Sequence, residues 1–349
     1  MPEPLSDLAT YRVKIPGTDL VTTPLGFGCA GLYAEPSRAQ RTRVLQAAYD
    51  AGVRHFDTAP MYGLGLAERD LGRFARGRRD EVVIATKFGI APGPAAWVIA
   101  RAQGPIRRLL RASPELRRQA RSSARGPSSG RAGALLYRAT GFDAAAARTG
   151  LENSLRALGT DYIDLLLLHD PEPGSVGGAD PCEFLEDARR SGKIRAWGVA
   201  GEMAPSLAVA GALPVPPPVL QTRDDILSPR RPELGTTAVQ GRITFGVLGD
   251  SIGAVVSHVC ADPARRSRWH EAVGADCGDA EVAAGLLLCM AARRNPGGVV
   301  LFSTTRVSHV RSAAGAPGAA ADGSWDLDAF ADLLDSELRR RQPTPGAER

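Results

Sequence analysis

Segments with the pattern of β-strands alternate with segments of helical pattern along most of this 349-residue chain. Such alternation is typical of a parallel β/α architecture, in which a helix connects each strand to the next. The strand candidates are residues 23–29, 53–57, 81–87, 162–169, 193–200, 218–222, 242–249 and 297–304. Helical patterns cover residues 37–50, 67–75, 143–158, 181–190 and 280–294. Eight strands close a (β/α)8 barrel, so we expect a single barrel domain over residues 1–349.

Three of the strand candidates end in ionisable residues of different kinds. The strand VRHFD closes on Asp57, EVVIATK on Lys87 and YIDLLLLH on His169, while Tyr62 follows Asp57 by five residues in a glycine-bounded loop. Parallel strands of a barrel collect their carboxyl ends on one face, so these four side chains should converge there. Lys87 is one of only three lysines among 43 basic residues. A lysine in an arginine-rich chain suggests a chemical role, because its pKa can be shifted and that of arginine cannot.

The positive charge of the chain is concentrated in one segment. Ten arginines and one acid lie between Arg101 and Arg138, a local net charge of +9, so the rest of the chain carries 5 − 9 = −4. This stretch belongs to a long insertion, residues 89–141, at the position of the third βα loop and hence on the catalytic face. The segment is either a solvated loop or a lid that shapes the substrate pocket. An arm that binds nucleic acid is the least favoured alternative, because the segment has no interleaved aromatic residues to stack on bases. Within it, RRLLRASPELRRQARSSAR could form a basic helix and SSARGPSSGRAG a flexible stretch.

Composition excludes several other classes of protein. No apolar run approaches the roughly 20 residues of a membrane helix, and the N-terminus lacks the pattern of a signal peptide. The five cysteines are widely spaced without a CxxC pair, which argues against a disulfide framework or a zinc site. We therefore expect a cytoplasmic protein that binds no metal, no nucleic acid and no membrane. The sequence gives no indication of oligomeric state.

The motif GFGCAG, residues 26–31, matches the G-x-G-x-x-G pattern of dinucleotide-binding Rossmann folds. A Rossmann site needs a helix that opens inside the motif and an acid about 20 residues further on. Here the helical pattern begins only near Ser37, and Asp57 lies 26 residues beyond the last motif glycine. The glycines more plausibly let the backbone turn over the top of the first barrel strand.

The run GVRHFDTAPMYGLGLAERDLG, residues 52–72, strongly resembles the signature of the aldo-keto reductase superfamily. The resemblance continues in VVIATKFG, LENSLRALGTDYIDLLLLHDP, GKIRAWGVAG and VVLFSTTRVSHVR, and it covers about 250 residues in family order. It implies that Tyr62 is the general acid–base, that Asp57 and Lys87 are its ion-paired partners and that His169 completes a catalytic tetrad. The implied activity is reduction of an aldehyde or ketone, or the reverse oxidation of a sugar or alcohol.

The residue types suit this chemistry independently of the resemblance. Reduction of a carbonyl group by hydride requires a proton at the developing alkoxide. A tyrosine, with a pKa near 10, needs a neighbouring cation to favour tyrosinate, and Lys87 can supply it. Asp57 would keep Lys87 charged, and His169 can orient the substrate oxygen.

Hydride chemistry also needs a nicotinamide cofactor. By resemblance, Ser303, Thr304 and Thr305 form its phosphate-binding turn at a helix N-terminus, and Arg306 is placed for the 2′-phosphate of NADP. Gly28 and Gln221 complete the expected cofactor contacts. We therefore favour NADP, with NAD as the alternative cofactor and a small carbonyl or alcohol compound as substrate.

Two positions depart from the family pattern. The family usually holds the nicotinamide amide with Ser-Asn after its fifth strand, where this chain has Ala200 and Gly201. An aromatic residue often stacks on the nicotinamide near the end of strand six, where this chain reads QTRDDIL. These departures sustain a rival interpretation, a catalytically weak barrel that binds cofactor as a sensor or assembly module.

Overall fold

Eight parallel strands close into a barrel, which confirms the predicted (β/α)8 fold. The computed structural model describes residues 11–96, 136–177, 180–224, 226–227 and 239–339. The barrel strands are β3 (Leu25–Gly28), β4 (His55–Asp57), β5 (Val83–Phe88), β8 (Ile163–His169), β9 (Ile194–Gly201), β10 (Val219–Arg223), β11 (Gly241–Phe245) and β12 (Val299–Phe302). They follow one another around the barrel in chain order, and β12 pairs with β3 to close it.

Every predicted strand is present, and β10 and β11 flank a proline-rich region of poor periodicity. The seventh ends earlier than expected. It stops at Phe245, because Gly246 takes a positive φ of 79° and turns the chain away from the barrel. A left-handed backbone of this kind is open to glycine at little cost.

Helices cover the outside of the barrel. In the described part of the chain they are α1 (Arg38–Asp50), α2 (Ala67–Ala75), α3 (Ala144–Leu158), α4 (Asp180–Arg190), α5 (Met203–Ala212), α6 (Gly249–Cys260), α7 (Pro263–Val273), α8 (Ala280–Arg294), α9 (Val307–Ala321) and α10 (Leu327–Leu333). The patterns that predicted α1 to α4 and α8 were correct to within one residue at each end. Helices α5, α6, α7, α9 and α10 were not among the predicted helical patterns. Although α7 has an Asp262 cap and a proline in its first turn, it buries only Trp269 and Val273, so its apolar periodicity is faint.

Two short antiparallel hairpins add to the barrel. The first, β1 (Val13–Lys14) with β2 (Val21–Thr22), places Ile15 against the start of β11, where a Cβ on Gly241 would meet Ile15 at 2.8 Å. Ile15 is fully buried and belongs to the apolar cluster that fills the barrel interior. This hairpin therefore closes the amino end of the barrel and leaves the carboxyl end for the site.

The second hairpin, β6 (Ile90–Pro92) with β7 (Tyr137–Ala139), forms the base of the predicted insertion. Ala96 is buried there in a small apolar cluster with Leu64. The arginine-rich centre of the insertion, with its predicted basic helix and flexible stretch, lies outside the described residues. No helix among those described has the length and apolar character needed to span a membrane.

Candidate active site

The ends of three neighbouring barrel strands bring the four predicted side chains together. Asp57 is the last residue of β4, Lys87 the fifth of six in β5, and His169 the last residue of β8. Tyr62 opens a short 3₁₀ turn, residues 62–64, in the loop that leaves β4. All four side chains line one cavity at the carboxyl end of the barrel.

Lys87 and Asp57 form a buried ion pair. The Lys87 ammonium donates hydrogen bonds to both carboxylate oxygens of Asp57 at 2.8 Å and to the carbonyl oxygen of Thr58 at 2.9 Å. Burial by itself would lower the pKa of Lys87, but the charge of Asp57, together with Tyr62, outweighs it and raises that pKa. Lys87 therefore remains a fixed positive charge at neutral pH.

Tyr62 lies between this ion pair and His169. The Lys87 Nζ atom is 5.0 Å from the centre of the Tyr62 ring, and the ring meets the His169 imidazole edge-on with centroids 5.9 Å apart. Burial raises the pKa of Tyr62, and the opposing effect of Lys87 does not cancel it. The net direction is therefore opposite to the one expected from the lysine alone. At neutral pH Tyr62 is a protonated phenol, ready to act as a proton donor.

His169 is a neutral imidazole at neutral pH. Burial, aided by the positive charge of Lys87, lowers its pKa to about 3. Its Nδ1 atom has no hydrogen-bond partner among the described residues, and its Nε2 atom lies 3.8 Å from a carboxylate oxygen of Asp170. A neutral imidazole can donate one hydrogen bond to an oxygen in the cavity without adding a second positive charge beside Lys87.

The cavity above these side chains has a volume of about 430 Å³, enough for a small organic molecule and part of a larger one. Three of the predicted cofactor residues, Gly28, Gln221 and Ser303, line it. Gln221 is buried, and its Oε1 atom finds no hydrogen-bond partner in the described structure. An unpaired buried amide oxygen that faces a cavity is suited to a ligand with a hydrogen-bond donor.

The other predicted cofactor residues lie further out, between β12 and α9. Arg306 precedes the first residue of α9, is exposed, and donates its backbone N–H to the Thr304 hydroxyl at 3.2 Å. Thr304 also hydrogen-bonds His309, and Thr305 is partly buried beside it. The free N–H groups in the first turn of a 15-residue helix favour a negatively charged group here. Among the described residues, no cluster of His, Cys, Asp or Glu could hold a metal ion.

The structure also adds cavity residues that the sequence analysis missed. Phe245, the last residue of β11, lines the cavity, and the Arg223 guanidinium lies over its ring at 5.4 Å from the ring centre. The family pattern had indicated an aromatic residue only near the end of β10, so Phe245 on β11 was not predicted. An aromatic residue directly before a strand-ending glycine, as in the printed run RITFG, was the available signal.

The second addition is Asp170, which follows His169. A Cβ atom on Gly201 would come within 2.8 Å of its Oδ1 atom. The absence of a side chain at position 201, noted above as a departure, therefore makes room for the Asp170 carboxylate.

This fold and this site define a family, and comparison with known proteins identifies it. Residues 24–237 match the aldo/keto reductase family. The chain belongs to that family, as the sequence motifs indicated.

Among curated relatives, the chain is 35% identical to a D-threo-aldose 1-dehydrogenase from Pseudomonas sp over 197 residues, which is 54% of this chain and 53% of the relative. It is 44% identical to a pyridoxal 4-dehydrogenase from Microbacterium luteolum over 84 residues, 23% of this chain and 25% of that protein. The chain thus spans about half or less of the length of these two relatives.

Solved structures share the fold over almost the whole chain. A glycerol dehydrogenase from Gluconobacter oxydans aligns with a TM-score of 0.65 at 18% identity, covering 96% of this chain and 97% of that one. An aldo-keto reductase from Klebsiella pneumoniae in complex with NADPH aligns with a TM-score of 0.57 at 20% identity, covering 87% and 89%. At these identities the likeness concerns the fold alone.

Proposed function

We propose that this protein is an NADP(H)-dependent oxidoreductase that reduces an aldehyde or ketone to an alcohol, or oxidises a sugar or alcohol in the reverse direction. One observation carries the proposal. A protonated Tyr62 lies between the buried Lys87–Asp57 pair and the neutral His169 at the base of an accessible cavity. We expect these four residues to be the catalytic group.

The reaction derived from these residues is a proton transfer at the substrate oxygen. A carbonyl oxygen held by the Tyr62 hydroxyl and the His169 imidazole gains electron density as reduction proceeds, and Tyr62 gives it a proton. The tyrosinate left behind is stabilised by the ammonium of Lys87, which Asp57 holds charged and in place. In the oxidative direction the same tyrosine takes the proton back.

The residues around the cavity fit a nicotinamide cofactor, which would supply or accept the hydride. The unpaired Oε1 of Gln221 can accept a hydrogen bond from a carboxamide, and Phe245 offers an apolar ring to a heterocycle. Gly31 lies against Ser303, since a Cβ there would be 2.6 Å from the serine Oγ, so the missing side chain leaves room for the Ser303 hydroxyl. Gly28, Gln221, Ser303, Thr304, Thr305 and Arg306 remain our proposed cofactor contacts.

We favour NADP over NAD because Arg306 is exposed at the start of α9, where it is free to meet a 2′-phosphate. A fold relative whose structure contains NADPH and an NADP(+)-named relative from Schizosaccharomyces pombe, 29% identical over 229 residues, support this choice. The relatives named for an aldose, pyridoxal and glycerol favour a hydroxylated small molecule as substrate. We further infer that the chain forms one barrel domain and that its insertion, residues 89–141, adjoins the substrate pocket. The cytoplasmic location stays a prediction.

The direct test uses the purified 349-residue chain. NADPH is mixed with a panel of aldehydes and ketones, NADP⁺ with a panel of aldoses and alcohols, and the absorbance of the reduced nicotinamide is followed in both. The same panels with NADH and NAD⁺ test the cofactor choice. Turnover of at least one member supports an oxidoreductase. Tight cofactor binding without any turnover would instead favour the sensor or assembly module.

A further inference from the structure

Asp170 has an unusual backbone at the edge of the candidate site. Its φ of +48° is left-handed, and among the described residues only Leu64 shares this feature without being a glycine. The Asp170 N–H donates to the carbonyl oxygen of Ala200 at 2.7 Å, which fixes the conformation. A residue of this kind is strained relative to an ordinary backbone, and such strain concentrates at functional sites.

The carboxylate of Asp170 lies in the cavity without a hydrogen-bond donor. Its side chain is 56% exposed, it lines the cavity, and no described residue donates a hydrogen bond to it. The neighbouring acid Glu202, by contrast, already accepts a hydrogen bond from Arg223 at 2.9 Å. The space that Asp170 occupies exists because Gly201 has no side chain. Position 170 thus presents an acceptor to whatever enters the cavity.

The position of this acceptor relative to His169 limits what it can bind. Its Oδ2 atom is 3.8 Å from the His169 Nε2 atom, the group that we expect to hold the reacting oxygen. In a substrate with oxygens on adjacent carbons, a gauche or eclipsed arrangement separates those oxygens by about 3 Å. An oxygen held at His169 therefore brings the oxygen on the next carbon within reach of Asp170. Only a hydroxyl, which has a hydrogen to donate, satisfies a carboxylate there.

We propose that Asp170 accepts a hydrogen bond from a hydroxyl on the carbon next to the reacting carbon. This inference rests on the proposed function and deepens it, because it assigns the substrate to α-hydroxy carbonyl compounds, aldoses included, and the corresponding vicinal diols. Burial, and next the nearby charge of Glu202, raise the pKa of Asp170, and either protonation state can accept from a hydroxyl. Asp170 is then a specificity residue, and Tyr62 still moves the proton.

The test compares substrates that differ by one hydroxyl. Glycolaldehyde is compared with acetaldehyde, and hydroxyacetone with acetone, as kcat/KM at saturating NADPH with concentrations corrected to the free carbonyl form. The wild-type enzyme should prefer the hydroxylated member by about 10- to 100-fold, the range of one charge-assisted hydrogen bond. Asp170→Gly suits the left-handed backbone and removes the acceptor, so it should abolish the preference. Asp170→Asn keeps one acceptor oxygen and should retain part of the preference for the hydroxylated substrate.

Glu202→Gln is the matched control, since it neutralises the adjacent acid that Arg223 already engages and should leave the preference unchanged. NADPH dissociation constants of all variants, from fluorescence titration, provide a readout apart from activity and should be equal. The inference is overturned if the wild type turns over both members of each pair equally, or if Asp170→Gly keeps the preference. It is also overturned if Asp170→Gly weakens NADPH binding in proportion to its loss of kcat/KM, because the carboxylate would then contact the cofactor and not the substrate. Absence of all turnover in the wild type would overturn the proposed function, and this inference with it.

Discussion

Replacement of Lys87 by methionine should damage stability and catalysis for separable reasons. The substitution removes both hydrogen bonds that the ammonium donates to the Asp57 carboxylate. Asp57 is only 3% exposed to solvent. A buried carboxylate without a partner is expected to cost about 3–5 kcal/mol of unfolding free energy. Proton uptake limits that cost, because protonating a carboxyl group of ordinary acidity costs about 4 kcal/mol at pH 7 and about 1.5 kcal/mol at pH 5.

Lys87→Met should therefore lose about 4 kcal/mol at pH 7 and much less at pH 5. The double variant Asp57→Asn/Lys87→Met has no buried charge at this place, so it should recover most of the loss and show little of this pH dependence. Neither variant should turn over substrate. In the wild type the pKa of Lys87 is raised from 10.5, so its contribution to stability is fully present below pH 10.5 and is lost only at higher pH.

The measurement is urea unfolding followed by circular dichroism at pH 5 and pH 7, with kcat on the best available substrate for each variant. A double variant as unstable as Lys87→Met at both pH values would refute the reasoning, because the loss would then come from packing. Turnover by Lys87→Met at the wild-type rate would refute the catalytic part separately.

Three further outcomes are expected. Arg306→Ala should weaken NADPH binding by about 1.5–3 kcal/mol in a fluorescence titration and leave NADH binding unchanged. Arg311→Ala, which removes an exposed arginine of the same helix, should affect the binding of neither cofactor. Equal losses of affinity for both cofactors would show that Arg306 does not bind the 2′-phosphate. Burial lowers the pKa of His55 from 6.5 to about 3, so stability should fall as the pH drops below 6.5, and His55→Leu should make that fall shallower in acid unfolding curves. Replacing residues 97–135 by a short Gly/Ser linker, with the β6–β7 hairpin retained, should leave the melting temperature and NADPH affinity nearly unchanged but alter the substrate profile. A variant that failed to fold would show that the segment is part of the core.

The barrel and the four converging side chains could be predicted from the sequence because their signals are local. Each strand is a short apolar run, and three of them end in Asp57, Lys87 and His169, which a barrel necessarily gathers on one face. These strand-end residues predict the site without any knowledge of contacts between distant parts of the chain. The helices with a faint apolar face, such as α7, lacked this signal and were missed.

Properties that depend on tertiary contacts could not be predicted in the same way. The direction of the pKa shift of Tyr62 is decided by its burial, which outweighs the adjacent lysine that the sequence showed. The place of Asp170 depends on its left-handed backbone and on the missing side chain of Gly201, on a neighbouring strand. Read alone, Gly201 indicated only that a family contact had been lost.

The most direct test of the account is the rate of proton-coupled reduction in Tyr62→Phe. Single-turnover reduction of an accepted carbonyl substrate is measured with NADPH and with its 4-deuterated form, so that the isotope effect shows hydride transfer to be rate-limiting. The account predicts a loss of about 10²- to 10⁴-fold in this rate, because the variant keeps the ring but has no proton to give, with an unchanged dissociation constant for NADPH. A Tyr62→Phe enzyme that reduced the substrate at the wild-type rate, with hydride transfer still rate-limiting, would contradict the central claim that Tyr62 delivers the proton.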